Sequence, residues 1–212
     1  TPPMDVVSAA RLPLLELQRA AERGEPAAQY MLGLRYETGE GGIKEPVLAV
    51  SWYRKAAEQG DGIAQNNLGL MYAEGRGVAA DDAQAVQWFE RSAKSGEAAG
   101  QYSLGVMLSS GRGVKEDGRA ALQWFEQAAE KGHADAQYNT GMIYAVGALV
   151  PQDLTRAARW LEKSAGSVRR ALSIACGTCP ANSWRIASIC SRGKFTALAV
   201  AADENLSISK KL

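Results

Sequence analysis

The sequence predicts an all-α fold, a right-handed solenoid of stacked helical hairpins, and three observations lead there. Gly24, Gly60, Gly96 and Gly132 stand 36 residues apart, as do Gly33, Gly69, Gly105 and Gly141, and Gly39, Gly75, Gly111 and Gly147. A tryptophan comb, Trp52, Trp88, Trp124 and Trp160, keeps the same period. A period of 20 to 50 residues is the signature of a repeat architecture in which each unit buries its apolar face against the next. Within each period two stretches carry apolar residues at helical spacing.

The first stretch of each unit places Ala28, Leu32 and Tyr36 four residues apart, then Ala64, Leu68 and Tyr72, then Gly100, Leu104 and Leu108, then Ala136, Thr140 and Tyr144. Steps of four put these side chains on one helix face. Thr140 departs from the leucine of the other copies. Gly33 and its equivalents fall inside this helix, where glycine costs roughly 1 kcal/mol against alanine, so a recurring glycine predicts close approach of a neighbouring helix. The second stretch repeats Ala49, Trp52, Tyr53, Ala56 and Ala57 as Ala85, Trp88, Phe89, Ser92 and Ala93, and again from Ala121 and from Ala157. This is an amphipathic stripe with the tryptophan on its buried side. Between the stretches, Gly75-Arg-Gly-Val78 and Gly111-Arg-Gly-Val114 end one helix and turn the chain. Glu45, Asp81, Asp117 and Asp153 follow at the start of the second helix, in position to cap it. The Gly-Arg-Gly loop is read as structural; phosphate binding is the alternative, but the loop lacks the strand-to-helix setting and the Lys-Ser/Thr of a P-loop.

These residues carry a resemblance. The pattern A-x-x-G, A-Q-Y-x-L-G-x-x-Y-x-x-G-x-G-V and A-x-x-W-[YF]-x-[KR]-A-A, nearly complete from Ala56 to Phe89, resembles the Sel1-like repeat, a relative of the tetratricopeptide repeat. It implies four repeats, 24–59, 60–95, 96–131 and 132–165, behind an N-terminal capping helix within 1–23, where Arg19 to Gly24 aligns with Lys55 to Gly60. Thr1-Pro-Pro resembles neither an initiator segment nor a signal peptide, so the N-terminus reads as trimmed or processed. Residues 166–212 break the pattern and are expected to form a divergent, partly helical cap. They carry +5 of local charge and all three cysteines, Cys176, Cys179 and Cys190, leaving −4 on residues 1–165 of a chain whose net charge is +1. Cys176-Gly-Thr-Cys179 has neither a thioredoxin-like setting nor a zinc ligand set around it, although a local disulfide stays open.

Chemistry is scarce. A net charge of +1 argues against nucleic acid, and no apolar run nears the roughly 18 residues of a membrane span. His133 is the chain's one histidine and replaces Glu25, Asp61 and Glu97 at the start of a first helix, where it reads as an exposed first-turn residue. One histidine builds no catalytic triad and no paired metal site, so no enzyme, catalytic residue, metal or cofactor is expected. With Ala28, Leu32 and Tyr36 facing inward, positions 27, 30, 31, 34 and 38 point away from the stripe, and position 34, apolar in every copy (Leu34, Leu70, Val106 and Met142), is expected to pack between units. Positions 30 and 31 then supply a hydrogen-bonding row, Tyr30, Asn66, Asn67, Tyr102, Ser103, Tyr138 and Asn139, suited to a protein or peptide partner. The resemblance implies an adaptor that holds a partner segment in a concave groove, with residues 166–212 as a conceivable internal occupant. It points to a bacterial periplasmic or exported setting and leaves a cytoplasmic one open. A different class is also left open by it, a small-ligand or cell-wall-fragment binding protein with enzyme-like activity.

Overall fold

The computed structural model describes residues 4–40, 42, 44–147 and 149–176, with side chains as far as residue 166. These residues form helices and turns, with no strand among them. The helices are α1 (Val6–Ala10), α2 (Leu14–Glu22), α3 (Pro26–Thr38), α4 (Pro46–Glu58), α5 (Gly62–Glu74), α6 (Asp82–Lys94), α7 (Ala98–Ser110), α8 (Gly118–Glu130), α9 (Ala134–Val146) and α10 (Leu154–Cys176). Thr1–Val168 forms one compact unit. Cys179, Cys190 and the rest of 177–212 lie outside the described residues, and with them the expected cap, its disulfide and its place as an internal occupant.

Hairpins pair α3 with α4, α5 with α6 and α7 with α8, and each second helix also packs on the first helix that follows it. The fourth hairpin closes through Gly141 of α9, which sits over Leu161 and the Ala157 carbonyl of α10. The core is accordingly a chain of small clusters rather than one interior. Ala49, Val50 and Tyr53 of α4 share a cluster with Leu68 and Met71 of α5, and Ala85, Val86 and Phe89 of α6 share one with Leu104 and Met107 of α7. Stability of such an array is close to a sum of hairpin terms and nearest-neighbour terms.

The mid-helix glycines do what their recurrence predicts. A Cβ on Gly33 would stand 2.8 Å from the Tyr53 ring, on Gly69 2.6 Å from Phe89 and on Gly105 2.7 Å from Phe125. In the first three hairpins the second helix therefore lays an aromatic ring on the bare backbone of its own first helix, and in the fourth Leu161 takes that place. This changes the expected place of the tryptophans. The deepest aromatics are the residues after them: Tyr53 is 0% exposed, Phe89 2% and Phe125 3%. Trp88 is buried at 8%, but Trp52, Trp124 and Trp160 are half-exposed. A cation covers the ring in three copies, Lys55 over Trp52 at 3.8 Å, Arg91 over Trp88 at 4.5 Å and Lys163 over Trp160 at 4.1 Å.

Capping follows the acidic comb in three copies of four. Asp81, Asp117 and Asp153 accept from the backbone N–H three residues on, at 3.0, 2.9 and 2.9 Å. Glu45 makes no such bond. Its extra methylene carries the carboxylate past the N–H groups, and Pro46 at the first helical position supplies the pre-set φ instead.

Thr140 is fully buried where the other copies hold leucine, and its hydroxyl has no hydrogen-bond partner among the described residues. A buried hydroxyl without a partner forfeits its hydration with nothing in return. Thr140→Val keeps the shape and removes the polar atom, so it is expected to stabilise the protein by about 1 kcal/mol, seen as a higher urea midpoint at unchanged m-value.

Candidate partner-binding surface

The first helices form the row on which the candidate residues lie, and they touch one another as well as their own partners, as α5 does α7. At two of the positions expected to point away from the buried stripe the first copy alone is interior, whereas Ile63 and Asp135 are exposed and Asn67, Ser103 and Asn139 half-exposed at the equivalent places. Ala27 and Met31 are packed with Leu17, Ala20 and Leu32. The reason is local to the first unit: α1 packs on α3 in addition to α2 and α4, and Met4, Val6, Ala9 and Leu12 lie against the same cluster, covering a face that the later first helices leave open.

Polar residues at positions 30 and 31 form a ladder between successive first helices. Ser103 Oγ of α7 donates to Asn66 Oδ1 of α5 at 2.9 Å. Across the equivalent joints the Asn67 side chain of α5 acts on the Tyr30 hydroxyl of α3, and Asn139 of α9 on that of Tyr102 in α7. Each rung thus joins position 30 of one unit to position 31 of the next. Asn66 is only 6% exposed, so it serves the joint through Ser103. Tyr30, Asn67, Tyr102, Ser103, Tyr138 and Asn139 remain half-exposed on the same row. Burial raises the pKa of Tyr30, with the charges of Asp61 and Glu37 adding to it and the Asn67 side chain opposing. Tyr102 is raised for the same reasons, by burial and then Asp135, with Asn139 opposing.

His133 departs from its expected place as an exposed first-turn residue. It is the N-cap of α9, half-buried, with Nδ1 accepting from the Ala136 N–H at 3.4 Å and its ring stacked on Tyr102 at 4.5 Å and 20°. Burial lowers its pKa, while Asp135 and Glu97 pull the other way. A folded-state pKa below the ordinary imidazole value of about 6.5 means that the neutral form favours folding. The contribution is complete above that value and is lost as pH falls through the lowered pKa. Between pH 7.5 and 5.5 the urea midpoint should therefore fall further in the wild type than in His133→Asp, which restores the residue found at Asp61. Equal falls would refute this role for the cap.

A fifth comb of the same period is absent from the expectations above. Gln29, Gln65, Gln101 and Gln137 are buried, and their Nε2 atoms donate to the carbonyls of Ala21, Ala57, Ala93 and Ala129 at 3.1, 3.0, 3.4 and 3.0 Å. Each adds a second hydrogen bond to a carbonyl in the last turn of the helix before it, one that already accepts from the backbone N–H of Gly24, Gly60, Gly96 or Gly132, and so ties the two helices together. The 36-residue recurrence of a glutamine on a buried face is the signal that marks them.

Among the described residues no group of three or more His, Cys, Asp or Glu side chains gathers at a metal position. Nor is any described helix long and apolar enough to cross a membrane. Stacked hairpins with a continuous first-helix row define the class of α-solenoid repeat proteins. Residues 26–61, 62–97, 98–133 and 134–166 each match the Sel1 repeat, and the chain belongs to the Sel1 repeat family. Proteins of this family are generally non-catalytic scaffolds for protein interaction. No curated protein matches the sequence. Among solved structures, the chain is similar to c5321, a protective antigen of uropathogenic Escherichia coli with an SLR fold, at 43% identity and a TM-score of 0.68 over 71% of this chain and 32% of that one. It is similar also to a Sel1 repeat protein from Oxalobacter formigenes, at 37% identity and 0.70 over 77% and 66% of the two chains. A Sel1 repeat protein from Klebsiella pneumoniae shares 29% identity at 0.56, over 74% and 76%. The chain thus spans about a third of the E. coli protein and about two thirds of the Oxalobacter one.

Proposed function

We propose that the chain is a non-enzymatic adaptor that holds a segment of a partner polypeptide against its first-helix row. The contact side chains in this reading are Tyr30, Asn67, Tyr102, Ser103, Tyr138 and Asn139, with Asn66 supporting Ser103 from below. The observation that carries it is the half-exposed alignment of tyrosine rings and amide side chains across successive first helices. Tyrosine offers rigid area with little entropy to lose on contact, and an amide already committed to one neighbour keeps donors and acceptors for a peptide backbone. General membership of a scaffold family supports the same reading.

Affinity capture tests it with the full chain, with Asn67→Ala/Asn139→Ala, and with Gln87→Ala/Gln123→Ala on exposed positions of the second helices. The first variant should lose the proteins that the parent captures, and the second should keep them, with helicity by circular dichroism unchanged in both. The reverse pattern would place the partner surface on the second helices and overturn the proposal.

A further inference from the structure

Charge is distributed unevenly between the two rows of helices. Counted with their N-cap residues, the second helices α4, α6 and α8 carry eight carboxylates and five cations. The first helices α3, α5, α7 and α9 carry six carboxylates, Glu25, Glu37, Asp61, Glu74, Glu97 and Asp135, and one cation, Arg35. Arg35 donates to the carbonyls of Ala10 and Leu12 at 3.0 and 2.8 Å, so it is occupied at the N-terminal end of the array. Three of the six carboxylates are neutralised: Glu25 pairs with Arg23 at 2.8 Å, and Glu37 and Glu74 share Arg76. Asp61, Glu97 and Asp135 have no ion-pair partner among the described residues. They belong to three successive first helices, beside the tyrosine row, and their charges are felt at Tyr30, Tyr102 and His133.

The first helices supply one cation, already occupied, and Lys131 at the end of α8 is held on the Gly96 carbonyl beside Glu97. Three carboxylates without an ion-pair partner among the described residues edge the row, a balance that favours one sign of partner. A cation placed there gains attraction from all three, while an acidic segment meets like charge at every step. Resting on the reading above that the first-helix row is the partner surface, we propose that its occupant is a lysine- or arginine-bearing stretch of polypeptide, its cations set toward Asp61, Glu97 and Asp135 and its backbone toward Asn67 and Asn139. The same field repels nucleic acid, whose phosphates would face the carboxylates.

Fluorescence polarisation with the full chain and three labelled random 12-residue peptide pools provides the test: one pool with four lysines per peptide, one with four glutamates, one with neither. The lysine pool should bind about tenfold more tightly than the uncharged pool, the size expected of a few exposed ion pairs acting together. Raising salt from about 0.05 to 0.3 M should remove most of that advantage, since screening then acts over only a few ångströms. Asp61→Asn/Glu97→Gln/Asp135→Asn should bring the lysine pool to the level of the uncharged one, and asparagine at position 61 still caps α5. Should the three pools bind alike and all depend on Asn67 and Asn139, the charge inference is overturned while the partner surface stands. Binding by none of them overturns both, and a preference for the glutamate pool reverses the inference.

Discussion

Phe89→Ala is expected to cost about 3–5 kcal/mol, the range for an aromatic side chain lost from a packed interior. Phe89 is 2% exposed, lies on the bare backbone of Gly69 in its own hairpin, and shares its cluster with Leu104 and Met107 of the next. Truncation thus weakens one hairpin and one junction together. Trp124→Ala should cost less, because half-exposed indole leaves a smaller void and part of its surface is hydrated already. Urea titration followed by far-ultraviolet circular dichroism measures both. In an array coupled only to nearest neighbours, Phe89→Ala should also broaden the transition as α7 to α10 outlast the hairpins before them. A loss below 1 kcal/mol, or a larger one for Trp124→Ala, would contradict the depth order given by the structure.

Gly77→Ala should destabilise by about 3–5 kcal/mol, as the sum of left-handed strain and a backbone collision. Gly77 has φ +70°, and a Cβ there would stand 2.3 Å from the Pro46 carbonyl oxygen and 2.8 Å from the Val47 nitrogen. No rotamer change relieves a clash with main chain. The loop of the second hairpin is seated against the start of α4 in the first, and Gly113 meets Asp82 and Ala83 in the same manner one unit later. Arginine strengthens this seat on either loop: Arg76 pairs with Glu37, and Arg112 with Asp82 at 2.6 Å and the Ala73 carbonyl at 3.1 Å. Gly75→Ala is the control, with nearly the same φ of +68° but its nearest neighbours, the Cβ and backbone nitrogen of Ala80, no closer than 3.3 and 3.5 Å. It should lose about 1–2 kcal/mol, the strain alone. Thermal melts of the two variants that shift equally would show that the loop has room to move.

Much of this architecture is legible in the residues. The combs of glycine, leucine and aromatic residues mark two helices per unit, the loop between them and the close approach at Gly33, Gly69 and Gly105, since helical periodicity and the absence of a Cβ are properties of the chain near each position. The candidate row was legible in part. Tyr30, Tyr102 and Tyr138 lie where the helical wheel places them, but the rungs they and their neighbours make with the next unit join residues 37 apart on different helices. His133 likewise reads as a surface residue until Tyr102 of the previous first helix is stacked against it.

Repetition and local helix chemistry, read from the sequence by itself, determined that this protein is a stack of hairpins and where each turns. Only the tertiary structure decided which side chains the stack consumes: Asn66 is spent on a joint while Asn67 faces outward, Phe89 is sealed while Trp124 is half open, and Ala27 and Met31 are interior. The reason is that burial at any position sums contributions from two neighbouring hairpins, whose distance and rotation are set by the packing of many residues at once and by no single stretch of chain.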